Sequence, residues 1–272
     1  MFLVLSFFVE LFFFLIDTFF IELILSQNVS RTYRINRTVT FEQEFYSDSK
    51  KKDVKRSINL NLKRSDNNAL DMDLLILIGR KEGVTANVKF GKNEDSNKLL
   101  VNFCLPTKLL KSGDDKNVYY YYELKNRQSV NIRFSQMSFD VLSTPLKINL
   151  ADGKQRFTTG PNLGVLTGRS WGKTQFTHRS HVGNIQIDKK QTFGFYSGVS
   201  KVNFNFTNPA NAQENAELVL FSPGLGYLLS YQRFNFGATL GLDFALGKNS
   251  SNWDFQGSSW IGVNLGYTLF SF

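Results

Sequence analysis

The densest group of chemically reactive side chains is the pentapeptide Thr-His-Arg-Ser-His at 177–181. His178 and Ser180 stand two positions apart, and a histidine beside a serine can activate the hydroxyl for attack on an acyl ester. Such a pair also needs an orienting acid, for which the candidates are Asp188, Glu214 and Glu217. The alternative is a polar loop without catalysis. The sequence favours that loop, so we predict no catalytic residue and keep His178 and Ser180 as the weaker hypothesis.

Metal and cofactor chemistry are not indicated by the sequence. His178 and His181 are the chain's two histidines, and no cysteine or acidic cluster stands near them, whereas a structural metal site uses four ligands. The Gly224-x-Gly226 spacing lies inside a strand pattern and opens no helix, so we interpret it as relief of crowding rather than a phosphate loop. Cys104 is the single cysteine. It excludes an intrachain disulfide, and its apolar surroundings predict a buried thiol.

Residues 217–247 have the pattern of one long β-hairpin, around which the rest can be arranged. The first arm has apolar residues at odd positions and the second arm at even positions. If the Gln-Arg pair between the arms forms the turn, these residues lie opposite each other, from Tyr231 and Phe234 at the turn to Val219 and Leu246 at the far end. The result is one apolar face about a dozen residues tall, which is long enough to cross a bilayer.

We predict that lipid covers this face and the matching face of the last strand. The predicted lipid-facing residues are Val219, Phe221, Leu225, Tyr227, Leu229, Tyr231, Phe234, Phe236, Leu240, Leu242, Phe244, Leu246, Ile261, Val263, Leu265 and Tyr267. The opposite face carries glycine, serine, threonine and asparagine, which suit a narrow barrel interior. A soluble β-sandwich is the alternative, but its outer face usually carries charged residues. Pro223 favours that alternative, because a closed barrel tolerates proline only at a bulge.

Composition changes sharply along the 272 residues. Fifteen of the 20 glycines lie at or after Gly160, and charged residues become sparse after Arg156. The formal net charge of +9 indicates attraction to anionic surfaces such as phosphorylated lipid headgroups. No basic stripe with interleaved aromatics forms a nucleic-acid module, so nucleic acid is not a predicted partner.

These patterns predict three segments. Residues 1–26 are almost wholly apolar and read as a signal peptide or a hydrophobic N-terminal helix. The helix is disfavoured because Glu10, Asp17 and Glu22 would each cost about 2.5–3.5 kcal/mol near the middle of a bilayer. Residues 27–136 predict a β-rich periplasmic domain, with alternation such as Tyr33 and Ile35 against charged neighbours. Residues 137–272 predict an antiparallel membrane β-barrel of about eight strands, with a bulge in the strand 192–206.

With these strands assigned, the chain resembles small outer-membrane β-barrel proteins of Gram-negative bacteria, in particular the Lys-, Asn- and Phe-rich sequences of the Bacteroidota. The segments that carry the resemblance are Phe139–Leu142, Asn162–Val165, Phe234–Gly247 and Ser259–Tyr267. A terminal phenylalanine, here Phe272, is the usual assembly signal of that class. Because the apolar set of the last strand is odd-numbered, the match to that signal implies either a bulge near Leu269 or a weak assembly signal.

The resemblance implies an all-β fold, a location in the cell outer membrane, outer-membrane lipid as a partner and possible contacts with other envelope proteins. It implies no catalytic residue. We therefore expect a non-enzymatic barrel with a structural, adhesion or partner-docking role. His178-x-Ser180 also resembles the motif of outer-membrane lipid A deacylases, except that an asparagine of that motif is replaced by His181. A lipid-modifying barrel enzyme and a soluble periplasmic β-sandwich binding protein are the alternatives.

Overall fold

The structure is a computed structural model of the chain. It describes residues 31–35, 38–46, 52–67, 70, 84–104, 119–151, 154–158, 162–207, 213–247, 250 and 253–271. The predicted signal segment at 1–26 and the terminal Phe272 lie outside these residues.

The described residues form an almost entirely β structure of fifteen strands in one sheet. The strands are β1 (Thr32–Ile35), β2 (Thr38–Tyr46), β3 (Lys52–Asn61), β4 (Lys63–Arg64), β5 (Val84–Phe90), β6 (Lys98–Phe103), β7 (Tyr120–Glu123), β8 (Gln128–Ala151), β9 (Lys154–Thr158), β10 (Asn162–Thr177), β11 (Ile185–Thr207), β12 (Gln213–Tyr231), β13 (Phe234–Leu242), β14 (Phe244–Leu246) and β15 (Ser259–Ser271). A three-residue 3-10 helix spans Asn93–Asp95. In this part of the chain, no helix has the length and apolar character needed to cross a membrane.

The 24-residue strand β8 connects the two ends of the molecule. Along one edge it pairs with β10 and then β9. Along the other edge it pairs in turn with β2, β1 and β15. The predicted segment boundary between residues 136 and 137 lies inside this continuous strand.

Six strands pair in a cycle that returns to its starting point. The antiparallel order is β8, β10, β11, β12, β13, β15 and again β8. This is fewer than the predicted eight or so, because β9 and β14 extend neighbouring pairings rather than adding members to the cycle. The other strands follow the order β1, β5, β6, β7 and β4 from the first half of β8, with the β2–β3 hairpin alongside.

The hairpin predicted at 217–247 is confirmed in its register. Tyr231 pairs with Phe234, and Val219 pairs with Leu246. Gln232 has φ of 59°, and a positive φ at the first turn residue matches the right-handed twist of the strands. The second arm is interrupted at Asp243, between β13 and β14. Pro223 lies opposite this interruption on one side and pairs with Ser197 on the other.

Two other irregularities change the direction of side chains. In β15 the register shifts between Thr268 and Phe270, which confirms the bulge predicted near Leu269. A second shift, between Val263 and Leu265, faces Pro145 on β8. The bulge predicted in β11 is wrong, because its pairings with β10 and β12 run without a shift. On β11 the even positions are buried from Lys190 to Gly198 and the odd positions between them are exposed, so the change of composition along this strand is not a change of register.

A conventional hydrophobic core lies at the end of the molecule formed by the N-terminal strands. Its fully buried members include Ile35, Leu99, Tyr122, Val130 and Phe176. Tyr33 and Ile35 are buried as the sequence predicts. Cys104 is exposed just after β6, so the predicted burial of its thiol is wrong. The apolar run therefore ends at the last strand residue rather than covering the thiol.

Candidate functional site

The six-stranded cycle exposes its bulky apolar side chains and buries its polar ones. Of the sixteen residues predicted to face lipid, fifteen are exposed, from 36% for Phe244 to 70% for Phe234, and Val263 is half-buried. Leu163 on β10 and Phe193, Phe195 and Val199 on β11 extend the same surface. We call this continuous exposed surface of β8 and β10–β15 the apolar band.

Charged outward residues bound the apolar band at both ends. On β11, exposed Lys189 lies at one end and exposed Lys201 at the other, twelve positions further along. Lys201 pairs with Glu217, which is also exposed, at the end remote from the N-terminal strands. Between these positions the exposed residues of β11 are largely apolar. The band is therefore a limited zone rather than a uniformly greasy face.

The buried face of the cycle contains a polar network centred on Asp140. Its Oδ1 accepts a hydrogen bond from Asn235 Nδ2 at 2.9 Å, and its Oδ2 accepts one from Ser138 Oγ at 2.9 Å. Thr268 also donates to this carboxylate. Lys190 Nζ lies 3.5 Å from Asp140 Oδ1 and forms an ion pair with it. All five side chains are buried, so the carboxylate is held by protein groups rather than by water.

Large side chains fill the next level of the interior. Tyr196 and Trp260 are buried with ring centroids 5.8 Å apart. A Cβ added to Gly164 would lie 2.4 Å from the Tyr196 ring, and one added to Gly241 would lie 2.7 Å from the Trp260 ring. Glycine at these positions thus makes room for the two aromatic residues. Gly226 similarly makes room for Leu166, at 2.2 Å, which supports relief of crowding as the reason for the Gly224-x-Gly226 spacing.

A second ion pair lies beyond the aromatic level. Lys147 Nζ donates to Asp243 Oδ1, and Ser222 Oγ donates to the same oxygen at 2.7 Å. The Lys147 ammonium is 4.3 Å from the centroid of the Trp260 ring, close enough for a cation–π contact. Beyond this pair, an apolar cluster that includes Phe204 and Trp253 closes that end. Packed side chains therefore occupy the interior at successive levels.

Strand β8 runs from the apolar core of the N-terminal strands into the polar interior of the six-stranded cycle, and the same alternate positions point inward in both. Its even positions stay buried from Val130 to Thr144. Before residue 136 these inward positions are apolar and the outward ones polar, as with Ile132 and Arg133. After it the arrangement is reversed, as with Asp140 inside and exposed Met137 outside. The inversion marks the border of the apolar band.

Arg31 lies at this border, on the buried side. Its Nη1 donates to Asp188 Oδ2 at 2.6 Å, and its Nε donates to Gln136 Oε1 at 2.7 Å. Its guanidinium carbon is 4.2 Å from the centroid of the Phe134 ring. Thr174 Oγ1 donates to Asp188 Oδ1 at 2.7 Å. This network separates the apolar core of the N-terminal strands from the polar interior of the cycle.

The residues of the 177–181 motif lie at the turn between β10 and β11. His178 is buried, and its Nδ1 lies 2.8 Å from Asn184 Oδ1. Ser180 is exposed, and its backbone N–H donates to the side chain of Asn126 at 3.1 Å. Among the described residues, no hydrogen bond joins the His178 ring to the Ser180 hydroxyl. The ring therefore fastens the turn in this structure.

The proposed acid partners of that motif are engaged elsewhere. Asp188 pairs with Arg31 and Glu217 with Lys201; the side chain of Glu214 lies outside the described part. Trp171 is an exposed tryptophan at the border of the apolar band, whereas Trp253 and Trp260 are buried. The positions of all three along the sequence predict an interfacial ring of aromatic residues. An aromatic residue near a strand end can face inward as readily as outward, so position along the strand was insufficient.

A row of outward cations, which sequence reasoning missed, runs along the same border. Its members lie directly opposite one another on four neighbouring strands: Arg34 on β1, Arg133 on β8, Lys173 on β10 and Lys189 on β11. We call these four residues the cationic row. The row spans 155 positions of the chain, from Arg34 to Lys189, so no local motif could have predicted the alignment. The row lines a surface depression of about 820 Å³.

Comparisons with protein-family models, with curated proteins and with solved structures found no match to this chain. The function must therefore be inferred from the geometry described above.

Proposed function

We propose that residues 128–271 form a closed β-barrel that spans a membrane and anchors the N-terminal strands at its surface. The observation that carries the proposal is the inverted polarity of the six-stranded cycle. Its outward face is an apolar band, and its inward face carries buried polar and charged side chains joined by hydrogen bonds and ion pairs. A soluble sheet with water outside and protein inside has the opposite arrangement, whereas a sheet with hydrocarbon outside has this one.

The pairing registers support closure. One row of partners can be followed around the cycle through Lys189, Tyr231, Phe234, Tyr267, Val141, Val165 and Ser197. It returns to β11 eight residues beyond its start, which is about 26 Å along the strand at the usual rise per residue. Six strands at the usual spacing make a perimeter of about 29 Å. The strands then tilt by about 42°, within the range of known barrels.

The height of the apolar band supports a bilayer as its environment. The twelve positions from Lys189 to Lys201 extend about 40 Å along the strand. With a tilt of about 42° this becomes roughly 30 Å along the barrel axis, close to the hydrocarbon thickness of a bilayer. Cations at both ends place charge where lipid headgroups would lie.

The interior supports an anchoring or docking role rather than transport. The two ion pairs and the Tyr196–Trp260 level between them leave the described interior filled with buried side chains. A barrel of six strands is also narrower than the eight-stranded barrels whose interiors are already filled by side chains. We therefore propose a non-enzymatic barrel in the outer membrane of a Gram-negative bacterium, without a conducting channel.

Cysteine labelling would test the membrane-spanning arrangement. In a Cys104→Ser background, Phe195→Cys lies in the middle of the apolar band and Asn203→Cys lies outside it on the same exposed face of β11. A membrane-impermeant maleimide should label Asn203→Cys at least tenfold faster than Phe195→Cys in lipid vesicles. The difference should disappear after unfolding in urea.

The same pair of variants distinguishes a bilayer from a covering protein layer. A chain that remains monodisperse without detergent, with Phe195→Cys labelled as fast as Asn203→Cys, would overturn the proposal. Bilayer conductance recordings form a second arm, in which we expect no discrete channel openings. Regular openings would contradict the filled interior.

A further inference from the structure

The cationic row places like charges directly opposite each other on adjacent strands. Arg34 faces Arg133, Arg133 faces Lys173, and Lys173 faces Lys189. Like charges in such positions destabilise a sheet. Of the described residues that line the neighbouring depression, none is acidic. The arrangement therefore concentrates positive charge that an external anion can neutralise.

The depression has both a charged wall and an apolar wall. Arg169 adds a further outward guanidinium, oriented by a hydrogen bond from its Nε to Ser135 Oγ at 3.1 Å. The apolar wall consists of Trp171, Leu229 and Tyr231, which are exposed members or neighbours of the apolar band. A ligand seated here would meet cations at one end and a continuous greasy surface at the other.

We propose that this depression binds the phosphorylated headgroup of a membrane lipid, whose acyl chains lie along the apolar band. The inference rests on the proposed function, because it requires the band to lie in a bilayer. Guanidinium groups bind phosphate oxygens in pairs, and the lysines supply further charge. Trp171 and Tyr231 occupy the depth at which amphipathic rings meet headgroups. A free phosphate ester would use the cations but leave the apolar wall unoccupied, so the structure favours the lipid.

Native mass spectrometry of the full chain in dodecyl maltoside would test the proposal. Three probes should be compared: phosphatidic acid, phosphatidylcholine and inorganic phosphate. We expect selective retention of phosphatidic acid. The triple variant Arg133→Gln, Lys173→Gln, Lys189→Gln should weaken this binding by roughly 100-fold, at about fivefold per neutralised cation near an anionic lipid.

A matched control removes the same charge elsewhere. Lys89→Gln, Lys92→Gln and Lys125→Gln change three exposed lysines that do not line the depression. This triple variant should bind phosphatidic acid nearly as the parent does. An equal loss in both variants would reduce the effect to net charge and overturn the site. If inorganic phosphate binds as tightly as phosphatidic acid and is lost equally in the cationic-row variant, the ligand is a soluble anion and the lipid proposal is overturned.

Stability in detergent supplies a second measurement that does not depend on mass spectrometry. Without lipid, the triple variant of the cationic row should have a higher urea midpoint than the parent, because repulsion between opposed cations is removed. Phosphatidic acid should raise the midpoint of the parent but not of the variant. No stabilisation of the parent would overturn the inference. A chain that needs detergent yet ignores phosphatidic acid defeats only this inference, whereas a chain that is monodisperse without detergent defeats the barrel itself.

Discussion

The two halves of β8 have the same backbone form and opposite chemistry. Around Val130 and Ile132, inward side chains pack into the apolar core of the N-terminal strands. Around Ser138 and Asp140, inward side chains enter a polar network, and the outward neighbours are apolar. Period-two alternation fixes which residues share a face but not which of the two faces points inward. The comparison teaches that surroundings decide this second point: water beside one half and, in our proposal, hydrocarbon beside the other.

The buried ion pair should give the largest effect of a single substitution. Asp243→Asn leaves the Lys147 ammonium buried without its counter-charge, and breaking a buried pair in this way costs about 3–5 kcal/mol. Urea unfolding in detergent, followed by gel mobility, would measure the loss. The double variant Asp243→Leu, Lys147→Met should recover much of it. A loss below about 1 kcal/mol in Asp243→Asn would mean that water reaches this interior.

The next largest effect should come from a charge in the middle of the apolar band. Leu225→Lys, whose position pairs with Phe195 and Leu240, should cost about 2–4 kcal/mol in a bilayer. Asn203→Lys, outward on β11 but beyond the band, is the matched control and should change stability little. Refolding into vesicles with urea titration measures both. Equally small losses of stability in Leu225→Lys and Asn203→Lys would indicate that water covers both positions. The contrast between the two halves of β8 would then disappear.

The exposed ion pair near the N-terminal strands should give the smallest effect. Lys63 Nζ donates to Glu123 Oε2 at 2.6 Å, and this hydrogen bond holds the pKa of the Glu123 carboxyl below its usual value. A carboxyl whose pKa is depressed by folding adds stability above its unfolded pKa, and this stability is lost as the pH falls through the folded value. Because both groups are well exposed, Glu123→Gln should cost about 0.5 kcal/mol at neutral pH.

Urea unfolding of Glu123→Gln and the parent, measured at neutral pH and again at pH 3, sharpens the comparison with Asp243→Asn. The small cost of removing the exposed carboxylate should vanish in acid, since protonation has already broken the pair. A cost near 3 kcal/mol at neutral pH would show that the Lys63–Glu123 pair is as desolvated as the buried one. The exposed Lys63–Glu123 pair and the buried Lys147–Asp243 pair would then contribute equally to stability, and the contrast between the two regions would be lost.

Local patterns predicted well those features that depend on near neighbours in the chain. The register of β12 against β13 and β14 followed from alternation and a two-residue turn, and the bulge near Leu269 followed from the parity of the last strand. The extent of β8 could not be predicted in the same way. A change of composition near residue 136 predicts a change of element, whereas in the structure it marks a change of surroundings along one continuous strand.

The motif at 177–181 illustrates the same limit for chemistry. His178 and Ser180 are close in sequence, but the His178 ring lies against Asn184, and among the described residues no hydrogen bond joins that ring to the Ser180 hydroxyl. Proximity in the chain did not specify a shared direction of the functional groups. Conversely, the cationic row and the Arg31–Asp188 pair join residues that are remote in sequence. No spacing rule could have assembled them.

By itself, the sequence determined the alternation of each strand, the greasy face of the central hairpin and the shift from charged to glycine-rich composition. These features are local, because side-chain direction repeats every two residues. Only the tertiary structure decided that six strands pair in a cycle, that the partners of two ion pairs come together inside it and that four cations align outside it. These features depend on the register between strands that are distant in sequence. That register is set by how all six strands pair together, so no single segment of the chain determines it.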